Sequence, residues 1–310
     1  MLPGTMAPCP LPRRLNLAIA RRCHVSCSGC YTFFGRREPD LSRVIPSVGA
    51  FVRLGIAAVT VSGGDPLTLP DLPRFLQSLR ASGVRSLKVD TVGLGLQQSG
   101  GRRGWRLAEL MNSTDFIGIP LDGWSEESVL LFRRGRRDLY AQTVALLDLL
   151  DDLAGPPRAI VNTVLHGGNV AGLDKLGADI LRHRSVCHWN VFQYTETDQA
   201  SPEANRRFRI SDEEFRRARA NFLSRSGTVA LKHSRARIAF RSSASRLGEY
   251  LLINSDGEAW LPDARGQTVS LGIVFGAEEH VLQRWAGAVA EIIGGRAVAG
   301  IACGVHAGSQ

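Results

Sequence analysis

Residues 15–30 read Leu15-Asn16-Leu17-Ala18-Ile19-Ala20-Arg21-Arg22-Cys23-His24-Val25-Ser26-Cys27-Ser28-Gly29-Cys30. The first six form a short apolar run of the kind a buried strand needs. Three cysteines follow at once, so they are expected on the loop that leaves this strand. Three thiolates on one loop can ligate three irons of a [4Fe–4S] cluster and leave the fourth iron open to a small molecule. The alternative is zinc, with His24 or Cys9 as fourth ligand. The C-x3-C-x2-C spacing is unusual for zinc, and no second ligand pair follows at a finger-like distance. Cys9, Cys187 and Cys303 are scattered, which argues against a disulfide framework.

Working outward, residues 1–12 read as an irregular, proline-bearing lead-in. After the cysteines, apolar strand runs alternate with helical spacing. Strands are expected at 57–62, 86–91, 115–121, 159–165 and 187–194, and helices at 41–55, 69–83, 106–112, 139–153, 170–182 and 212–224. Pro46 weakens the first helix, and Ser211 with Glu214 makes a capping box for the last. Six strand–helix repeats of about 35 residues demand a parallel sheet with right-handed crossovers. No G-x-G-x-x-G follows the first strand, which counts against a dinucleotide-binding sheet. Chemistry is then expected at the C-terminal ends of the strands. Residues 229–233, 250–254 and 259–261 read as further strands, with Asn254-Ser255-Asp256-Gly257 as a hairpin turn and a closing helix at 278–293. The predicted architecture is α/β, a partial (β/α)6 TIM-type barrel over 13–226. A C-terminal α+β extension over 227–310 is expected to cover one end of it.

Composition narrows the function. The chain has 310 residues, is 44% hydrophobic and 22% charged, and carries a net charge of +9. No apolar run is long enough for a membrane helix, and the start lacks the apolar segment of a secretory signal. A soluble, cytoplasmic protein is expected, with no membrane partner. Nearly all the cations are arginine; Lys88, Lys175 and Lys232 are the lysines. The positive charge is scattered apart from Arg133, Arg134, Arg136 and Arg137. That argues against nucleic acid and for a small anionic substrate, whose carboxylate Arg133 could hold, although a solvated face is the plainer reading of these four arginines.

On Cys23, Cys27 and Cys30 the chain resembles the radical S-adenosylmethionine (SAM) enzymes, which carry C-x3-C-x2-C after the first strand of a partial barrel. The resemblance implies a [4Fe–4S] cluster on the three cysteines and SAM on the open iron. It implies cleavage of SAM to methionine and a 5′-deoxyadenosyl radical that takes hydrogen from a substrate. An external electron donor such as flavodoxin or ferredoxin is implied as well. Many members place an aromatic residue before the third cysteine, where this chain has Gly29, with Tyr31 on the other side as the candidate to pack on adenine. Gly63-Gly64-Asp65-Pro66 resembles the family's G-G-E-P segment, which implies that these residues hold the methionine ammonium of SAM. Thr91 ends the third strand where relatives show T-N-G. Asp122 lies in Pro120-Leu121-Asp122-Gly123 where S-L-D-G is usual, and Asn162 lies on the fifth strand. All three are candidate SAM contacts.

The extension resembles the strands of the family's auxiliary-cluster domain without its cysteines, so a single cluster and a small substrate are expected. Trp189, Asn190 and Gln193, followed by Asp212-Glu213-Glu214-Phe215, resemble the viperin-like members, which act on nucleotides. Trp189 and Gln193 become candidate substrate contacts, although core packing is the plainer reading of Trp189. Glu196, just after the sixth strand, is the candidate base for a hydroxyl proton. The sharpest expectation is decarboxylation of a uronic acid nucleoside in natural-product biosynthesis. The alternatives are a peptide-modifying or epimerising enzyme, with Cys187 or Cys303 returning hydrogen, and a non-catalytic iron–sulfur or SAM-binding protein.

Overall fold

The computed structural model describes residues 11–30, 39–97, 105–156, 158–225, 234–263 and 265–297. Its strands run in chain order as β1 (Arg14–Ala20), β2 (Ser26–Cys27), β3 (Ala58–Gly63), β4 (Ser86–Asp90), β5 (Leu96–Gln97), β6 (Trp105–Arg106) and β7 (Phe116–Pro120). They continue as β8 (Arg133–Arg134), β9 (Ala159–Leu165), β10 (Val186–Gln193), β11 (Arg237–Arg241), β12 (Tyr250–Asn254), β13 (Glu258–Pro262) and β14 (Thr268–Ile273). Ten of them form one sheet in the order β11-β10-β9-β7-β4-β3-β1-β12-β13-β14. The six expected strands β1, β3, β4, β7, β9 and β10 lie side by side in chain order and are parallel. A doubly wound sheet would reverse direction at a switch point. Within these six strands the order never reverses, and among the described residues the two ends of the sheet are not bonded to each other, so it is an open, partial barrel.

The helices alternate with these strands much as the 3.6-residue spacing predicts. Leu41–Arg53 starts on Asp40, whose carboxylate accepts from the Ser42 amide, and runs through Pro46. Leu72–Ala81, Leu107–Ser113, Leu139–Asp152, Leu173–Leu181 and Asp212–Arg225 follow. The capping box at Ser211 and Glu214 forms in both directions. Two helices, Glu126–Leu130 and Pro202–Phe208, are not legible as helical runs in the sequence.

Register decides which side chains meet. In a parallel sheet, paired residues share a face. Val61, Val89 and Ile117 form one row, and Ile119, Val161 and Trp189 form another. All six are fully or almost fully buried. Trp189 meets Phe222 of helix Asp212–Arg225 edge-on at 5.3 Å, so this is the face under the helices. The opposite, concave face carries Asn16, Thr60 and Lys88 in one row and Pro120, Asn162 and Asn190 in another.

The described residues after 233 join the barrel's own sheet, where a cover over one end is expected. They widen the same sheet at both edges. β11 adds to β10, and β12 adds in parallel to β1. β12, β13 and β14 are antiparallel to one another, with the hairpin turn at the expected Asn254–Gly257. An internal position between β1 and β13 buries Leu251, Leu252 and Ile253, apolar residues on both faces of β12. Helix Glu278–Ala297 closes this edge, with Trp285 donating to the Tyr250 carbonyl at 3.0 Å. The strand expected at 229–233 lies outside the described residues. Among the described residues, no helix is long and apolar enough to cross a membrane.

Candidate active site

The cysteine loop leaves the C-terminal end of β1, as the sequence predicts. Local sequence does not show what holds it. β2, which contains Cys27, pairs antiparallel with β8, so Cys27 lies opposite Arg133 and Ser26 opposite Arg134. The Ser28 amide donates to the Phe132 carbonyl at 2.9 Å. Gly29 is buried, and a Cβ there would stand 2.6 Å from the Tyr194 ring and 2.8 Å from the Phe132 ring. Two aromatic rings from other strand ends thus occupy the space beside Gly29 that an aromatic residue at position 29 would need. Phe132 also stacks on His166 at 5.2 Å and meets Phe208 at 5.1 Å, which extends the aromatic floor under the loop. Burial, helped by Arg133 and Arg207, pushes the His166 pKa down to about 3, so this ring is neutral. Its Nδ1 accepts from the Gly168 amide.

The glycine pair explains itself by contact. Gly63 has φ +117°, and a Cβ on it would lie 2.5 Å from the Ala20 carbonyl oxygen. A Cβ on Gly64 would lie 2.0 Å from the Arg22 carbonyl oxygen. The turn after β3 therefore packs backbone to backbone on the root of the cysteine loop. Two backbone hydrogen bonds join them, from the Gly64 amide to the Ala20 carbonyl at 2.5 Å and from the Asp65 amide to the Arg22 carbonyl at 2.6 Å.

Several candidates have roles other than those expected. The Asp65 carboxylate is fully buried and accepts from the Leu67 amide, the Thr91 hydroxyl and the Val92 amide. Burial raises its pKa, against these hydrogen bonds. It fastens the Pro66–Thr68 turn to the end of β4 instead of presenting itself to a ligand. Thr91 is buried and points its hydroxyl at Asp65. Trp189 is fully buried and donates to Thr163 at 2.9 Å. Gln193 donates to Asp212 at 2.8 Å and accepts from the Ser243 amide at 3.1 Å. Neither faces the concave side, because strand parity puts both on the helix side. Trp189→Ala is expected to lower stability by about 3–5 kcal/mol, as for large core truncations. Chemical denaturation at constant iron content measures it. A change below about 1 kcal/mol would contradict this packing role.

Arg133 is also corrected as a substrate contact. Its Nε lies 2.5 Å from Asp122 Oδ2, and its Nη1 donates to Cys27 Sγ at 3.2 Å. Asp122 is fully buried and accepts from the Val164 amide at 2.7 Å, so it is a bracket between strand ends. Asn169 completes the bracket through the carbonyls of Asp122 and Val164. Glu196 stands after β10, at the expected end. Its carboxylate is paired with Arg209 at 2.5 Å, and both side chains are exposed, so it is not a free base in this arrangement. Asn162 is on the concave face and accepts from Asn190 at 3.0 Å. Tyr31 lies outside the described residues.

The thiol set fits an iron–sulfur cluster better than a single ion. Four sulfurs at about 2.3 Å from one zinc stand about 4 Å apart. Among the described residues, the group of three donors converging within 4.8 Å of one another is Asp148, Asp151 and His183, not the cysteines. The cysteines are nonetheless near enough to act on one another's ionisation. Burial pushes the Cys23 thiol up and the Cys27 thiol up to about 11, with Arg133 opposing, so ligation must release protons.

The Radical SAM superfamily profile matches residues 17–176, just over half of the chain. A GTP 3',8-cyclase of Xanthomonas axonopodis pv. citri is 30% identical over 175 residues, covering 50% of this chain and 47% of that protein. An S-adenosylmethionine-dependent nucleotide dehydratase of Lacinutrix mariniflava is 23% identical over 255 residues, covering 78% of this chain and 49% of that protein. The chain thus spans about half the length of these relatives, and about a third of a GTP 3',8-cyclase of Mycobacterium tuberculosis that it also matches. Among solved structures, Streptococcus suis SuiB bound to precursor peptide SuiA superposes with TM-score 0.63 at 12% identity, over 80% of this chain and 59% of that one. At that identity the likeness concerns the fold alone.

Proposed function

Because the chain belongs to the radical SAM superfamily, we propose that it takes hydrogen from a small, anionic, nucleoside-like substrate held on the concave face of the sheet. The cluster and SAM, when bound, supply a 5′-deoxyadenosyl radical. This chain's residues supply the rest. Cys23, Cys27 and Cys30 hold the cluster. The backbone of Gly63 and Gly64, braced through Asp65 and Thr91, offers carbonyls to the methionine end of SAM. An external one-electron donor such as flavodoxin or ferredoxin serves the site.

One observation carries the substrate reading. A closed parallel barrel fills its interior with branched apolar side chains. Here the concave rows hold Asn16, Thr60, Lys88, Asp90, Asn162 and Asn190 among apolar Phe116, Ile160 and Pro120, so this face offers polar contacts beside apolar ones. At the end where the cysteine loop sits, Arg246 lies 5.5 Å above the Phe192 ring. Phe192 is paired in register with Arg241. An aromatic ring beside arginines suits a base or sugar carrying negative charge. Relatives named for GTP and nucleotide chemistry favour the same class. The finer outcome, loss of carboxylate from a uronic nucleoside with Glu196 as base, would require the Glu196–Arg209 pair to open.

The test is anaerobic reconstitution with iron and sulfide, then dithionite, SAM and a panel of nucleoside triphosphates, uronic nucleosides and short peptides. Expected is 5′-deoxyadenosine formation that rises several-fold with one of the nucleosides or nucleotides, with a matching change in its mass. Stimulation by peptides alone, or iron binding with SAM intact, would overturn the reading.

A further inference from the structure

We propose that Arg133 is a positioning residue that sets the reduction potential of the cluster through Cys27. The proposal goes beyond the substrate reading and rests only on Cys27 being a cluster ligand. The argument starts from topology. Arg133 is brought to Cys27 twice, once by the β2–β8 pairing of their backbones and once by its side chain. The guanidinium Nη1 donates to Cys27 Sγ at 3.2 Å. Its Nε is held at 2.5 Å by the fully buried Asp122. Asp122 is itself fixed by the Val164 amide and cannot swing away without losing that hydrogen bond. The Arg133 side chain is only 15% exposed, so water screens it little. The guanidinium is therefore a fixed cation with a directed donor on one particular sulfur.

Hydrogen bonds to ligand sulfurs and local net charge are among the levers that set iron–sulfur potentials. Reduction adds an electron and makes the site more negative. A cation donating to the ligand sulfur stabilises the reduced form more than the oxidised form, which raises the potential. Asp122 works in the opposite sense, since it neutralises part of the charge while it holds the geometry. The pair thus tunes the cluster while keeping Arg133 from wandering toward a substrate anion.

The experiment uses the reconstituted full chain without substrate, so its failure is separate from failure of the nucleoside reading. Arg133→Met removes charge and donors; Arg133→Gln removes the charge but keeps an N–H donor. Iron content and the midpoint potential are measured by redox titration followed by electron paramagnetic resonance. Expected is iron content near the parent value in at least one variant, with a more negative midpoint in each variant that holds the cluster, larger for Met than for Gln. If Met fails to hold iron, Gln alone carries the comparison. A parent-like potential in a variant holding full iron would overturn the proposal. Loss of iron from both variants with an unchanged circular dichroism spectrum would overturn it too, in favour of a purely structural clamp.

Discussion

Cys27→Ala is expected to abolish 5′-deoxyadenosine formation and to leave the chain unable to retain about four irons. Cys27 is tied into the protein at three points. It pairs by backbone with Arg133, its carbonyl accepts from the Cys30 amide, and its sulfur accepts from a held arginine. Alanine keeps the backbone pairing, so the loop stays in place and the loss is one of ligation. It also leaves the Arg133 donor facing a methyl group, which adds the cost of an unmet charged donor. Cys187→Ala serves as control, because Cys187 sits on β10 and its thiol donates to the Ala159 carbonyl. Iron per chain by colorimetry and deoxyadenosine by mass spectrometry check both. Full iron retention in Cys27→Ala would remove this residue from the ligand set and with it the assignment of the cluster loop.

The contrast between Cys27 and Trp189 shows what the sequence made legible. The triad is a local pattern, and its chemistry follows from residue type and spacing, so it could be read without a fold. The six-strand parallel core was legible for a related reason: apolar runs and helical spacing are local. Trp189 and Gln193 needed the parity of β10, and parity depends on register against β9. The register shifts between Val186 and His188, so counting along the strand from its start misleads. Arg133 was visible as part of a basic run. Its pairing with Cys27 spans more than a hundred residues and rests on two-residue strands, which carry no periodic signal. The same holds for Tyr194 and Phe132 beside Gly29: nothing near position 29 announces rings supplied by other strand ends. β12 reads as a strand from its own residues, but strand propensity does not say which edge of a sheet is open to it.

Gly64→Ala is the second change with a large expected effect, and it probes the turn that couples the glycine pair to the cysteine loop. The added Cβ would stand 2.0 Å from the Arg22 carbonyl oxygen and 3.1 Å from the Cys23 amide nitrogen. No flexible side chain is there to yield; the colliding atoms are backbone. Arg22 is also anchored by the Asp65 amide at 2.6 Å, so relief means pushing the start of the loop outward and losing that bond. Overpacking of this kind costs about 1–3 kcal/mol, and each lost hydrogen bond adds about 0.5–1.5 kcal/mol. The larger consequence is geometric, since Cys23 moves with Arg22 while Cys27 stays clamped by β8. Expected is a melting temperature lower by several degrees, with iron retention and deoxyadenosine formation both down at least about tenfold, as a misplaced ligand should give. Gly49→Ala is the matched control. Gly49 lies inside helix Leu41–Arg53, where a new Cβ meets its nearest neighbours at 3.7 Å, an ordinary contact. There alanine should stabilise the helix by about 0.5–1 kcal/mol without touching the site. If Gly64→Ala retained full iron and parent-like SAM cleavage, the loop root would be free to shift without consequence. The glycine pair would then be needed for nothing beyond a turn.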